Sequence, residues 1–397
     1  MERILPEQVG FSSARLERIT SFFQSLVERR VIAGVDALVA RHGRVAYRQC
    51  VGFADLESAR PLAEDALYRI YSMTKPITSV AVMMLFEEGA FFLHDPVARY
   101  IPAFSEVKVY QPRNGGACYD LVPPHRPITI HDLLTHTAGL SYGFDEHSFI
   151  DDLYRKQVWH RLETDPDVTL GTLVEEIAKI PLAFHPGTSY RYSTAIDVLG
   201  YLVEVVSGKP FDVFLRERIF EPLGMTDTDF WAPPEKAHRL ATLYGPSESG
   251  GLKVLQTTEN FLRKPSAPSG GGGLVSSMAD YYRFAQTLLN RGAWNGVRLL
   301  GRRTVEWMMT NHLPEGMRLP DDPACGFGYG GSVIVDAARH FHMGSPGNWG
   351  WGGAANTWFF LDPVEDLLAV MMLQYMPGFS IPFHHTFANL VYQALVD

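Results

Sequence analysis

The chain has 397 residues, 46% hydrophobic and 12% aromatic, enough apolar material for two domains or one large domain with an insertion. Charged residues make up only 20%, and glycine (35) and proline (26) stand at ordinary globular levels, which excludes disordered, collagen-like and coiled-coil chains. A net charge of −9 without any basic run gives a phosphate backbone nothing to hold, so nucleic acid is not an expected partner.

Cys50, Cys118 and Cys325 are an odd set without C-x-x-C spacing, and read as free thiols rather than a disulfide framework or a zinc site. The first residues lack a charged-then-apolar leader, and no uncharged apolar run approaches the ~20 residues of a membrane span. The expectation is a soluble, cytoplasmic protein without a membrane partner.

In chain order, Ser12 or Ser13 caps a first helix whose Leu16, Ile19, Phe22, Phe23, Leu26 and Val27 share one face. A hairpin follows, 35–40 with 45–51, around the turn Arg41-His42-Gly43-Arg44. A second helix spans about 72–88 and stops at Gly89. Residues 111–128 read as a Pro/Gly loop, then helices as 130–137, 170–180, 194–207 and 211–220. A loop-rich stretch leads to Ser269 and glycines 270–273, and Ser277 with Asp280 opens the next helix as a capping box. The remainder is β-rich (328–336, 357–361, 367–374) before an amphipathic helix at about 385–395. Strands at both ends and helices between them imply an α/β (α+β) fold: one sheet built from residues 1–90 and 255–397, with 91–254 as a mainly helical insertion.

The strongest local chemistry is Ser72-Met73-Thr74-Lys75. On a helix, positions i and i+3 share a face, so the serine and lysine can touch. A serine hydroxyl needs a neighbouring base or field to act as a nucleophile. An adjacent Lys75 ammonium supplies the field, a desolvated neutral Lys75 could itself accept the proton, and the helix start adds a dipole that favours negative charge. Two further segments accompany it: Tyr192-Ser193-Thr194 before an apolar helix, and Trp351-Gly352-Gly353-Ala354 before a strand. Together and in this order they resemble the S-x-x-K, Y-x-N and K-T-G motifs of the serine β-lactamase and penicillin-binding-protein superfamily. The resemblance covers most of the chain and is greatest to class C β-lactamase-like serine esterases, the family VIII carboxylesterases, with LovD-type acyltransferases alongside.

That resemblance implies an antiparallel sheet flanked by helices. It makes Ser72 the nucleophile, Lys75 its partner and Tyr192 the general base, whose phenolate Lys75 would favour by nearby positive charge. The N–H groups of Ser72 and Ala354 would form the oxyanion hole, with Thr194, Trp351, Gly352 and Gly353 at the substrate. Thr194 stands where Asn is usual and Trp351 where the K-T-G lysine would be. Both departures, with the loss of a cation for a substrate carboxylate, point from β-lactams toward small neutral esters. A β-lactamase or D,D-peptidase activity and LovD-type acyl transfer are the alternatives. A non-catalytic binding module is disfavoured by the intact Ser72, Lys75 and Tyr192. No cofactor is expected, and homo-oligomer formation is left open.

Several patterns compete with this reading. Gly139-Leu140-Ser141-Tyr142-Gly143 spells G-x-S-x-G, but lacks the strand-to-helix turn that such an elbow needs. His131 and His136 are five apart, off a common helix face. His340 and His342 can share a strand face, but no acid or third ligand accompanies them and no H-E-x-x-H occurs, so no metal is expected. The glycine run has no following G-K-[ST] and reads as a flexible or tightly packed loop. Of the aromatics near the motifs (Tyr71, Tyr142, Phe144, Tyr190, Trp349, Trp351, Trp358), Tyr71, Tyr142 and Trp351 are the expected pocket lining.

Overall fold

The computed structural model describes residues 2–113, 118–256 and 261–397. Its frame is an eight-stranded antiparallel sheet in the order Cys325–Phe327, Ser332–Ile334, Trp349–Gly352, Trp358–Asp362, Leu367–Leu373, Gly34–Arg41, Arg44–Asp55, Arg60–Pro61. The two ends of the chain meet where Leu367–Leu373 pairs with Gly34–Arg41, from Val35 opposite Leu373 to Arg41 opposite Leu367. Leu367–Leu373 is apolar at every position and buried throughout, as a central strand covered on both faces must be. The first hairpin closes on two residues, His42 and Gly43, both at positive φ (+53° and +70°). That is the turn whose twist matches its strands.

Alternate residues of each strand feed two cores. Val35, Ala37, Val39, Phe360, Ala369 and Met371 face the helices Ser13–Glu28 and Phe383–Tyr392. Leu38, Phe359, Leu361, Val370 and Met372 face the opposite layer. Helix Thr74–Glu87 runs through that layer with every residue from Thr74 to Leu85 buried, including the polar Thr74, Lys75, Thr78 and Ser79. The same core continues into helices Leu170–Lys179 and Ala195–Ser207.

Several expectations are corrected. Residues 111–128 are not a plain loop: Val109–Arg113 and Cys118–Val122 pair as a hairpin. Residues 328–336 are not one strand, because the glycines after Phe327 reverse the chain, Gly328 N donating to Gly331 O (2.8 Å). The strand pairing with Cys325–Phe327 is then Ser332–Ile334. Trp349–Gly352, read only as a motif, is itself a strand. The stretch before Ser269 contains a further hairpin, Leu243–Pro246 with Leu252–Gln256. Half of the capping box forms: Asp280 N donates to Ser277 Oγ, but the Asp280 carboxylate turns to Asp227 N and Thr228 Oγ1. No helix among the described residues is long and apolar enough to cross a membrane.

Candidate active site

Ser72 lies not on the α-helix but on the 3₁₀ turn Tyr71–Met73 just before it, with Lys75 the second residue of Thr74–Glu87. A 3₁₀ turn nearly eclipses residues three apart, so the serine and lysine still meet. Tyr71, immediately before Ser72, has φ +42°, a conformation that a bulky residue rarely adopts. Such strain is kept where the surroundings over-determine the backbone.

Lys75 is fully buried. Its Nζ donates to Ser72 Oγ (3.1 Å), Tyr142 Oη (3.1 Å) and Gly271 O (2.5 Å). Two of these partners are hydroxyls and the third is a backbone carbonyl. From the other side Tyr192 Oη donates to Ser72 Oγ at 2.6 Å, and the Tyr192 ring lies 4.5 Å from Lys75 Nζ. Ser72, Lys75 and Tyr192, three residues from two distant segments, therefore converge on one oxygen.

Packing of the glycine run brings Gly271 to Lys75. Asp197 Oδ1 accepts from Gly271 N (3.0 Å) and Ser269 Oγ (2.6 Å), and Thr78 Oγ1 donates to Gly270 O (2.8 Å). A Cβ on Gly271 would sit 2.5 Å from both Tyr142 Oη and Asp197 Oδ2, so only glycine fits between them. The run is tightly packed rather than flexible. Burial first, then the Asp197 charge, pushes Tyr142 well above the ordinary tyrosine range, keeping it a neutral acceptor for Lys75.

Strand Trp349–Gly352 brings the third motif to the same place. A Cβ on Gly353 would approach Ile70 O to 2.3 Å, which places this backbone directly against the start of the Ser72 turn. The exposed residue Ala354 follows at the end of that strand. Trp351 is half-buried, with its ring 5.6 Å from Tyr192 and perpendicular to Phe327 at 5.2 Å. Tyr142 stacks between Phe144 (4.8 Å) and Trp159 (5.8 Å), and Phe144 is 72% exposed at the rim. An aromatic wall thus stands beside a polar centre, the usual make-up of a small-molecule site.

Other candidates fall elsewhere. Thr194 is fully buried and its hydroxyl donates to Ser141 O (3.2 Å), so its side chain serves the loop rather than the cleft. Ser141 is also buried; its hydroxyl donates to Asp151 and accepts from Arg191 Nε (2.8 Å), beside an ion pair between buried Asp151 and half-buried Arg191. Tyr71 packs edge-on against Phe261 (6.3 Å). Trp349 and Trp358 are core residues, and Tyr190 lies behind the wall against His136 and Phe327.

Reading the sequence overlooks Gly271 O, Asp197, Phe327 and His136. His136 lies 4.9 Å from the Tyr192 ring and accepts from Ser193 N (3.2 Å). Burial, and then Lys75, hold it well below its ordinary pKa, as a neutral ring. Hollows of about 410 Å³, beside Arg44 and Tyr282, and about 390 Å³, beside Phe220 and Asp227, lie away from Ser72. Chemistry rather than volume marks the site.

Three motifs gathered at one end of an antiparallel sheet flanked by helices accord with a hydrolase of the β-lactamase fold. The chain belongs to the beta-lactamase family, whose pattern matches residues 19–393. It is 35% identical to Protein Rv1367c of Mycobacterium tuberculosis over 88% of both chains. It is 31% identical to Esterase EstB of Burkholderia gladioli, over 91% of this chain and 90% of EstB. Among solved structures it resembles EstCE1, described as a hydrolase with promiscuous acyltransferase activity, with TM-score 0.79, 29% identity, and coverage of 96% and 99%.

Proposed function

We propose that this protein is a serine carboxylesterase that acts on small neutral esters through an acyl-enzyme on Ser72. The observation that carries the proposal is the double engagement of Ser72 Oγ, by Tyr192 Oη at 2.6 Å and Lys75 Nζ at 3.1 Å. Tyr192, as phenolate, takes the serine proton while Oγ bonds to the ester carbonyl carbon. The Lys75 ammonium faces the phenolate throughout. The Ser72 and Ala354 N–H groups receive the oxyanion, one donor from a helix start and one from a strand end. Collapse breaks the carbon–alkoxy bond, and the leaving alcohol takes the proton from Tyr192. Water, deprotonated by the same phenolate, then releases the acid and restores Ser72.

An apolar Trp351 where a cation would hold a substrate carboxylate supports neutral esters over β-lactams. The likeness to EstCE1, a hydrolase with promiscuous acyltransferase activity, and the aromatic wall support a second reading, in which an alcohol replaces water at the acyl-enzyme. Product analysis separates the two: with a p-nitrophenyl ester and a graded alcohol, hydrolysis leaves free acid, whereas transfer accumulates a new ester. Loss of both products in Ser72→Ala is the expected result; retained turnover would overturn the proposal.

A further inference from the structure

The fold brings together residues that sequence spacing keeps apart. His340 and His342 lie in an irregular turn, not a strand, and that turn packs on the start of the edge strand Cys325–Phe327. There His340 Nδ1 meets Asp322 Oδ2 (2.6 Å) and Cys325 Sγ (3.6 Å), while Sγ and Oδ2 are 3.4 Å apart. The acid and third ligand that the His340 and His342 spacing lacked are therefore present. Cys325 is buried, and the His340 and Asp322 side chains are 7% and 15% exposed.

We propose that Asp322 Oδ2, Cys325 Sγ and His340 Nδ1 bind one divalent transition-metal ion of the zinc class. Two independent observations carry this. The first is spacing. Tetrahedral bonds of about 2.3 Å to sulfur and about 2.0–2.2 Å to nitrogen and oxygen set ligand separations of about 3.4–3.6 Å. Both sulfur separations already have that length, and only the N···O edge must open.

The second is support from behind the ring. His340 Nε2 lies 2.9 Å from His342 Nε2, and His342 Nδ1 lies 2.7 Å from Met343 O. The ring that would ligate through Nδ1 is therefore held through its other nitrogen, with His342 as the partner that orients it. A thiolate, imidazole and carboxylate set suits zinc or cobalt rather than magnesium or calcium. The ion would clamp the 336–342 turn to the edge strand whose Phe327 packs on Trp351.

The test uses the full chain, stripped with a chelator and passed through a desalting column. Added Zn²⁺ should be retained at one equivalent and raise the melting temperature, with Ca²⁺ and Mg²⁺ giving no shift. Co²⁺ should produce a thiolate-to-cobalt charge-transfer band. Cys325→Ser should abolish that band, and Cys50→Ser and Cys118→Ser should keep it. His342→Phe should weaken binding by about 10–100-fold while retaining the band. No retained zinc and no band in the unmodified chain would overturn the proposal, leaving Asp322 and His340 an ordinary proton-sharing pair. A band that survives Cys325→Ser would overturn it too, by locating the metal elsewhere, for example on Cys118. Because the unmodified chain gives both readouts, a variant that fails to fold does not protect the proposal.

Discussion

Tyr192 Oη donates to Ser72 Oγ across 2.6 Å, while every N–H of Lys75 has an oxygen acceptor. In the proposed reaction Tyr192 exchanges the serine proton and Lys75 supports it from beside. That division of labour gives the first test. Tyr192→Phe should fold normally and lose about 10²–10⁴-fold in kcat for a short p-nitrophenyl ester, the usual effect of removing a general base. Lys75→Ala should lose at least as much, since residues acting as one unit are not additive. If Tyr192→Phe stays active while Lys75→Ala is dead at every pH, the roles are reversed.

Ser141 hydrogen-bonds to both Asp151 and Arg191, and in the proposed reaction it takes no part. Ser141→Ala removes a hydrogen bond to charged groups, a change worth about 1.5–3 kcal/mol. Urea unfolding should show a loss of that order, with kcat/KM kept within about tenfold, a limit of about 1.4 kcal/mol on the transition state. A collapse of activity at unchanged stability would place Ser141 in the reaction.

In the proposed reading Trp351 replaces a cation at the position where a β-lactam carboxylate would rest. A charged hydrogen bond of about 1.5–3 kcal/mol is worth about 10–100-fold. Trp351→Lys should therefore raise kcat/KM for nitrocefin relative to a neutral ester by about that factor. An unchanged ratio would remove Trp351 from substrate selection.

Burial, ahead of the neighbouring charges, holds His131 down to about 4, with its Nδ1 3.0 Å from Tyr329 Oη. The unfolded chain binds this proton near pH 6.5 and the folded chain does not. The stability that His131 contributes is therefore complete above pH 6.5 and lost as pH falls toward 4, about 3 kcal/mol in all. His131→Gln should flatten the stability curve between pH 6.5 and 4 by about one proton, read as the difference from the unmodified chain. This difference matters because Asp280, raised to about 6 by burial, runs the other way: it loses stability as pH rises from 4 to 6. Equal slopes in the two proteins would show that His131 is not held neutral.

Much of this was legible because the signals were local. Apolar spacing marked Leu16, Ile19 and Phe23 as one helix face, and 367–374 read as β-rich, its all-apolar 367–373 being the buried central strand. Ser72 and Lys75 meet because three residues make one turn. Long-range pairings were not legible. Nothing near Gly271 shows that its carbonyl will meet Lys75, because Asp197, from a helix, holds that loop in place. Thr194 read as a substrate contact because the motif counts positions, whereas the direction of its side chain depends on Ser141, 53 residues away. The approach of Asp322 and Cys325 to His340 depends on how an edge hairpin folds back, which periodicity does not record.

The most direct test of the central claim is intact mass after brief exposure to a fluorophosphonate or a slowly hydrolysed p-nitrophenyl ester, followed by peptide mapping. A single adduct on Ser72, absent from Ser72→Ala and present in Ser141→Ala, is the predicted result. An adduct on any other serine, or a labelled Ser72→Ala, would contradict it.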